Sequence, residues 1–230
     1  MAPIQLNPEE TRAIVRALRR PVGRYSYTRA SQLSGVPART LHHWARVALF
    51  VPDFNEASPK GWSYRDLVLV RLFAWLRSVG MKPPTAAERV MGVRVALARR
   101  EFDPAIPLRA TRSGVFIEGE DFDRLSGEAL LPNMVELLQT FDLIRPVDDV
   151  NQMWGPSLVR PSQFTAISPS VVAGEPFLRL TRIPTATLYA LHVEQGLAPA
   201  DLVALFEGLS TGQVDDALSL EARIRTIQAA

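Results

Sequence analysis

The chain has 230 residues, 47% of them hydrophobic, which is enough for two or three modules with buried cores. It contains no cysteine, and this excludes disulfides, thiolate nucleophiles and cysteine-based metal sites. Neither a long uncharged apolar run nor a signal-peptide pattern is present, so we expect a soluble cytoplasmic protein without a membrane-spanning helix.

The charge of the chain is unevenly distributed. Residues 1–100 hold 17 of the 26 lysines and arginines but 6 of the 24 aspartates and glutamates, a net charge of +11, whereas residues 101–230 have a net charge of −9. Such an asymmetry favours a polyanionic partner for the first half and a different kind of partner for the second.

The first predicted elements are three helices. Residues 7–20 have a basic amphipathic pattern, with Asn7 as the N-cap and Pro8 at the first helical position. The stretch YTRASQLSGVPARTLHHWARVALF, residues 27–50, predicts two short helices joined at Gly35, which adopts turn conformations at little steric cost. This pattern is typical of a helix-turn-helix.

Two longer helices follow. The stretch SYRDLVLVRLFAWLRSVG starts with a capping box between Ser63 and Asp66 and ends at Gly80. The stretch TAAERVMGVRVALARRE, residues 85–101, has apolar side chains at helical spacing. Both helices are therefore expected to pack through broad apolar faces.

The sequence pattern of the central residues differs from the helical pattern that precedes them. Alternating residues 108–125, with a turn at Ser113 and Gly114, predict a β-hairpin, and residues 131–143 predict a helix. The role of residues 104–166 stays open at this point.

The C-terminal residues predict three short helices with tight turns. The first, in residues 183–196, ends at Gly196, and the second lies in residues 198–208. The third begins with a capping box formed by Ser210 and Gln213.

A helix-turn-helix binds DNA by placing its second helix in the major groove, where arginine pairs with guanine and neutral histidine donates or accepts a hydrogen bond. The predicted DNA-contacting residues are Arg39, Thr40, His42, His43 and Arg46 on that helix, together with Arg29, Lys60 and Arg65.

Residues 25–95 resemble the winged helix-turn-helix of MerR-type regulators. The matching positions are Leu33, Gly35-Val36, Arg39-Thr40-Leu41, Trp44, Leu49, Ser63, Asp66-Leu67, the LRSVG stretch and Met81. The resemblance implies base contacts from the second helix and phosphate contacts from a wing around residues 59–62. The sequence departs from the family pattern in three respects: His42 replaces an arginine, the wing carries a single lysine, Lys60, and Ala48 replaces a glycine.

Residues 167–219 are similar to the small trihelical domain of VapB-type antitoxins. The matching positions are Ile167, Pro169, Gly174, Pro176, Thr181-Arg182-Ile183-Pro184, Gly196, Val214 and Ala217-Leu218, whereas Leu180 stands where glycine is usual. The resemblance implies a cytoplasmic toxin–antitoxin pair (VapBC type) in which this chain neutralises a PIN-like ribonuclease. Binding of operator DNA by the basic half would then give autorepression.

The resemblance also implies a partner surface. Arg179 or Arg182 would reach the acidic pocket of the nuclease, although Arg182 is equally compatible with a structural role in a turn. A homodimer or a toxin–antitoxin hetero-oligomer is expected, and the predicted interface residues are Leu188, Leu191, Leu202, Leu205 and Phe206.

These observations predict a mainly α fold with a small β portion. The expected domains are a basic N-terminal arm with a winged helix-turn-helix (residues 1–103), a central α+β linker segment (104–166) and an antitoxin-like trihelical domain (167–230).

Two other functions remain open. One is a stand-alone MerR-like transcriptional regulator whose acidic half binds a small molecule or only dimerises. The other is a nuclease that uses the carboxylates of residues 118–123. Because no phosphate-binding glycine loop, nucleophile elbow or histidine-containing triad is present, the sequence favours a protein that is not an enzyme and has neither a cofactor nor a metal.

Overall fold

The computed structural model describes residues 8–57, 59–78, 80–98, 108–110, 115–117, 139–141 and 155–226. Within these ranges the chain forms eight α-helices and five short β-strands, which confirms the prediction of a mainly α protein with a small β portion. None of the helices in these ranges is long and apolar enough to cross a membrane.

Five helices make up the N-terminal part: α1 (Pro8–Arg19), α2 (Tyr27–Ser34), α3 (Ala38–Arg46), α4 (Tyr64–Ser78) and α5 (Pro83–Ala98). Helices α2 and α3 pack together across a turn at Gly35, whose φ of 81° lies in the left-handed region that glycine adopts readily. Helix α4 is buried along most of its length and contacts α1, α2 and α5. The structure thus confirms the five predicted helices.

The predicted capping box of α4 is confirmed. The backbone N–H of Ser63 donates to Oδ2 of Asp66 at 2.8 Å, and the N–H of Asp66 donates to Oγ of Ser63 at 3.0 Å. Each bond satisfies a backbone donor near a helix start that has no partner within the helix. The predicted N-cap of α1, Asn7, lies outside the described residues.

The segment between α3 and α4 forms a small antiparallel loop, here called the wing, from Phe54 to Gly61. These two residues pair across its base, and Trp62 pairs with Tyr25 in front of α2. Trp62 is fully buried, so its indole fixes the base of the wing to the N-terminal core.

The C-terminal part contains two paired strands, β4 (Thr165–Ala166) and β5 (Phe177–Leu178), followed by α6 (Thr185–Gln195), α7 (Pro199–Leu205) and α8 (Thr211–Thr226). Its predicted helix signals are confirmed: α6 ends at Gly196, with φ of 72°, and the backbone N–H of Ser210 donates to Oε1 of Gln213 at 2.9 Å. The buried side chains of its own core are Leu178, Leu188, Leu202, Leu209, Val214 and Ala217.

The two parts share apolar packing. Ile167, Leu220 and Ile224 from the C-terminal part lie in the large N-terminal core, as do Leu158 and Val159. Residues 155–166, which the sequence assigned to the central linker, therefore belong to the packed body and supply strand β4.

Buried polar contacts reinforce this junction, and Arg29 lies at their centre. Its Nη2 and Nη1 atoms contact the two carboxylate oxygens of Glu221 at 2.8 and 3.0 Å, and its Nε atom contacts Oε2 of Glu175 at 2.7 Å. Glu221 is fully buried and also accepts a hydrogen bond of 2.6 Å from Oγ1 of Thr185. Helix α2 and helix α8 are thereby joined by a satisfied ion pair away from water.

Two tyrosines add hydrogen bonds across the same junction. The hydroxyl of Tyr25 donates to the carbonyl of Gly174 at 2.8 Å, and that of Tyr64 donates to the carbonyl of Leu158 at 2.9 Å. Both side chains are fully buried, so each hydroxyl finds the partner that a buried polar group requires.

The described part of the central residues forms a three-stranded sheet of β1 (Leu108–Ala110), β2 (Val115–Ile117) and β3 (Gln139–Phe141), in the order β2-β1-β3. The antiparallel pairing of β1 with β2 confirms the strands of the predicted hairpin, whose turn lies outside the described residues. The helix predicted over residues 131–143 is wrong at 139–141, where the chain pairs with β1. Apolar residues in a short run do not distinguish a helix from a strand that gains its partner from elsewhere in the chain.

Candidate nucleic-acid interface

Helix α3 has one buried side chain and an exposed basic face. Leu41 is completely buried and anchors the helix in the N-terminal core, whereas Arg39, His42, His43 and Arg46 lie on the solvent side of the helix. Thr40 is half-buried at the start of the same helix. The predicted contact residues of this helix therefore lie on its accessible face.

A cleft of about 740 Å³ lies between α3 and the wing. Its lining residues are Tyr27, Arg39, His42, His43, Ala45, Arg46, Asn55 and Lys60. The structure thus brings Lys60, on the wing, to the same concave surface as the arginines and histidines of α3. None of the lining side chains carries a negative charge, which is the electrostatic character that binding to a polyanion requires.

Aromatic and basic contacts order the floor of this cleft. The rings of Tyr27 and His42 stack with centroids 3.8 Å apart and an angle of 6° between their planes. Nη2 of Arg46 lies 3.5 Å from Nδ1 of His43. Tyr27 also meets Trp62 edge-on, with ring centroids 5.4 Å apart, so the stack is supported by the base of the wing.

Three residues of the cleft are not among the site residues predicted from the sequence: Tyr27, Ala45 and Asn55. Tyr27 precedes His42 by fifteen positions, and only the packing of α2 on α3 brings the two rings together. Asn55 carries a weak signal, since it is a polar residue in a loop beside the predicted wing.

An ion-pair network holds the base of the wing. Oδ1 of Asp53 contacts Nη2 of Arg65 at 2.7 Å, and Oδ1 of Asp66 contacts Nη2 of Arg94 at 2.6 Å. Oδ2 of Asp66 accepts from the backbone N–H of Asp53 at 2.8 Å, which links the start of α4 to the segment that enters the wing. These contacts join Asp53, the residue that precedes the wing, to α4, and join α4 to α5.

The two carboxyl groups of this network differ in pKa. Burial, together with the nearby charge of Asp53, raises the pKa of Asp66 to about 6. Burial also opposes ionisation of Asp53, but hydrogen bonds from Arg65 and Ser63 outweigh it and lower the pKa of Asp53. The two carboxyl groups face the guanidinium groups of Arg65 and Arg94, which favour the ionised form of each.

Two predicted DNA contacts require correction. Arg29 is 8% exposed and is bound to Glu221 and Glu175, so its guanidinium joins the two parts of the protein and does not face solvent. Arg65 is 9% exposed and binds Asp53 through Nη2 and Nε. Both arginines hold the framework of the site and are not available to touch a ligand in the cleft.

The predicted partner residues separate into two groups. Leu188 and Leu202 are completely buried in the C-terminal core, so their assignment to an interface is wrong. Leu191 and Phe206 are half-buried and pack against that core, and Leu205 is 57% exposed. Arg179 and Arg182 are both exposed, on the loop that follows β5.

The comparisons concern the C-terminal part. Residues 166–220 match the model of a family described as a protein of unknown function, DUF433. This range is less than half of the chain; it begins in β4 and ends within α8, so the cleft between α3 and the wing lies outside it. No curated protein and no solved structure matches the chain.

The described ranges contain no candidate metal site: no group of three or more histidine, aspartate or glutamate side chains is placed to hold a metal ion there. The carboxylates of residues 118–123, which would serve the alternative nuclease function, lie outside the described residues.

Proposed function

We propose that this protein is the antitoxin of a type II toxin–antitoxin pair, which neutralises a PIN-like ribonuclease and represses its own operon by binding operator DNA in the cytoplasm. The observation that carries the proposal is the cleft between α3 and the wing, whose lining includes three cationic side chains and no carboxylate side chain: Arg39, Arg46 and Lys60. The sequence resemblances to a MerR-type DNA-binding unit and a VapB-type domain assign the two halves their roles.

The exposed face of α3 suits the major groove of DNA. The groove is about 12 Å wide and admits a helix, and arginine can donate two hydrogen bonds to guanine at its edge. Arg39 stands at the start of α3, where helix-turn-helix proteins contact bases. Lys60 is exposed on the wing, the position from which a cation contacts a phosphate.

The C-terminal domain supports a separate role in binding a protein. Its accessible guanidinium groups, Arg179 and Arg182, are suited to the carboxylates that bind magnesium in a PIN-like nuclease. The buried Arg29–Glu221 pair joins this domain to α2. Arg179 and Arg182 are not among the residues that line the cleft, so operator and toxin would use different residues of one chain.

The DNA arm is tested with two substitutions in the cleft. Arg39→Ala is expected to weaken binding to the upstream operator by about 1–3 kcal/mol and to relax the sequence preference at one base pair. Lys60→Ala is expected to weaken all sequences alike and to lower the slope of log affinity against log salt by about one. Fluorescence anisotropy with operator and scrambled duplexes, at several salt concentrations, measures both effects.

The control for this measurement is Arg182→Ala, which removes an accessible charge of the same kind from the C-terminal domain. Its operator affinity is expected to equal that of the wild type. Unchanged operator binding by Arg39→Ala would contradict the assignment of α3 as the helix that contacts bases.

Tyr27 provides a second test of the same surface. Tyr27→Ala removes the ring that stacks on His42 and is expected to weaken operator binding about threefold to tenfold, since an aromatic pair contributes about 0.5–1.5 kcal/mol. Tyr27→Phe keeps the ring and is expected to bind as the wild type does. If the alanine variant melts at the wild-type temperature and also binds normally, the stack has no part in binding.

The partner arm is tested by co-expression with the protein encoded by the adjacent gene. We expect a stable complex in which the ribonuclease activity of the partner is suppressed until this chain is removed. A homo-oligomer that shifts its own promoter and binds no such partner would instead establish a stand-alone transcriptional regulator.

A further inference from the structure

The loop after β5 contains a tight turn with an unusual residue at its tip. The backbone N–H of Thr181 donates to the carbonyl of Leu178 at 3.1 Å, which closes a four-residue turn. Leu180, the third residue of this turn, has φ of 65°, in the left-handed region. Turns that need a positive φ at this position normally use glycine or asparagine, because a Cβ atom crowds the backbone there.

Local hydrogen bonds hold this conformation in place. Oγ1 of Thr181 donates to the carbonyl of Leu178 at 2.7 Å and accepts from the backbone N–H of Ile183 at 3.1 Å. The backbone N–H of Leu178 donates to the carbonyl of Ile183 at 3.0 Å, and Leu178 is itself buried in the C-terminal core. The turn is therefore rigidly attached to the domain, and its tip points to solvent.

The side chain of Leu180 is not buried in the free protein. It is 102% exposed, whereas the next most exposed large hydrophobic side chains in the described ranges, Val193 and Leu205, are 57% exposed. A leucine at this tip thus has a strained backbone and gains no hydrophobic stabilisation from folding, because its side chain is as exposed in the folded chain as in the unfolded one. Backbone strain is enriched at functional sites, and at Leu180 it coincides with the most exposed large apolar side chain of the described ranges.

Two cations flank the exposed leucine. Arg179 precedes it and Arg182 follows two positions later, and both side chains are accessible to solvent. In the described part of the chain neither guanidinium forms an ion pair; Nη1 of Arg179 has a long contact, 3.5 Å, with the carbonyl of Gln163. The tip therefore presents one apolar side chain between two positive charges that have no carboxylate partner in the described part of the chain.

We propose that Leu180 is the anchor by which this protein holds its protein partner: the side chain enters an apolar pocket whose rim carries carboxylates that pair with Arg179 and Arg182. The inference rests on the proposed function and identifies the element of the C-terminal domain that makes the contact. Burial of the leucine side chain in the complex removes its apolar surface from water, and this contributes favourably to the free energy of binding.

The chemistry of the tip favours a different protein over other occupants. A nucleic acid would satisfy the two guanidinium groups, but it can bury a leucine only between unstacked base steps, which costs about a few kcal/mol, whereas a protein pocket carries no such cost. A symmetric contact between two copies through this tip would bring four guanidinium groups together, and like charges at an interface are strongly unfavourable. An acidic partner satisfies both kinds of group at once.

The test compares Leu180→Gly with Ala48→Gly, using the co-expressed protein of the adjacent gene as the partner. Glycine relieves the strained backbone at either position, since Ala48 also has a positive φ of 56°, but only the first change removes the anchor. We expect both free variants to melt at or above the wild-type temperature. We expect Leu180→Gly to bind the partner at least about tenfold more weakly by titration calorimetry, because a leucine loses its pocket, and Ala48→Gly to bind it with wild-type affinity.

Each outcome decides between the two proposals. If wild-type chain forms no complex with this partner, both the proposed function and the anchor are overturned. If the complex forms and Leu180→Gly binds with nearly the affinity of the wild type, the anchor alone is overturned. If the variant instead loses self-association in sedimentation experiments, with its partner affinity unchanged, the tip contacts a second copy and the inference is likewise wrong.

Discussion

Arg29→Met is expected to lower the free energy of unfolding by up to about 3–5 kcal/mol, because the fully buried carboxylate of Glu221 loses its two shortest cationic contacts and keeps only the more exposed Arg225 at 3.3 Å. Urea denaturation measures the change. Operator affinity, measured at a temperature where the variant is folded, is expected to stay at the wild-type value, since Arg29 lies inside the protein.

Two further variants test whether the loss of stability is specific to this buried pair or would follow the removal of any ion pair. Arg160→Met removes a partner of Glu10 from a pair of 2.6 Å whose side chains are 26% and 24% exposed, and is expected to cost no more than about 1 kcal/mol. The double variant Arg29→Met/Glu221→Leu removes both buried charges and is expected to regain most of the lost stability. A loss for Arg29→Met no larger than that for Arg160→Met would contradict the role of the buried pair in joining the two parts.

The same pair makes stability depend on pH. Burial alone would raise the pKa of Glu221, but the hydrogen bonds and charge of Arg29 outweigh it and lower the pKa below its usual value. A carboxyl whose pKa is lower in the folded state stabilises the protein above its unfolded-state pKa, and that contribution is lost as the pH falls through the folded-state pKa. Acidification is therefore expected to destabilise the wild type more than the double variant.

Gly174→Ala is expected to be the second strongly destabilising change, at about 2–5 kcal/mol, because it combines a clash with an unfavourable backbone angle. A Cβ atom at this position would lie 2.1 Å from the hydroxyl oxygen of Tyr25, and the backbone φ of 87° is itself unfavourable for alanine. The two parts of the protein would have to separate at this contact, which lies in the buried junction. Thermal and urea denaturation measure the loss.

Gly208→Ala provides the matched control for this substitution. Gly208 has a similar φ of 84° but no atom within 4 Å of the position that a Cβ atom would occupy. Its alanine variant is therefore expected to lose only the backbone contribution of about 1–2 kcal/mol. Adding Tyr25→Phe to Gly174→Ala removes the clashing oxygen and is expected to restore part of the stability. Equal losses at the two glycines would show that the contact with Tyr25 is not tight.

Local signals are sufficient to predict most helices and their ends. The capping boxes at Ser63 and Ser210, and the stops at Gly35 and Gly196, depend on hydrogen bonds and backbone angles within a few residues, so they can be recognised without knowledge of the fold. The accessible basic face of α3 is equally predictable, because helical periodicity separates Leu41 from the neighbouring cations.

Contacts between distant residues account for the errors. Sequence alone predicts surface cations at Arg29 and Arg65, but in each case a carboxylate from another part of the chain makes burial favourable. The sequence does not distinguish Leu188 and Leu202 from Leu205. Only the packing of α6 and α7 on α8 determines which of these side chains are buried. The stacking of an aromatic ring of α2 on α3 likewise depends on how these two helices meet.

By itself, the sequence determined the helical character of this protein, the ends of most helices and the separation of a basic half from an acidic half, because these follow from short-range geometry and composition. Only the tertiary structure decided which charges face the cleft, which are buried in the junction between the two parts, and that Leu180 stands exposed on a strained turn. Burial and pairing are properties of residues that lie far apart in the chain, and they arise only when the chain has folded.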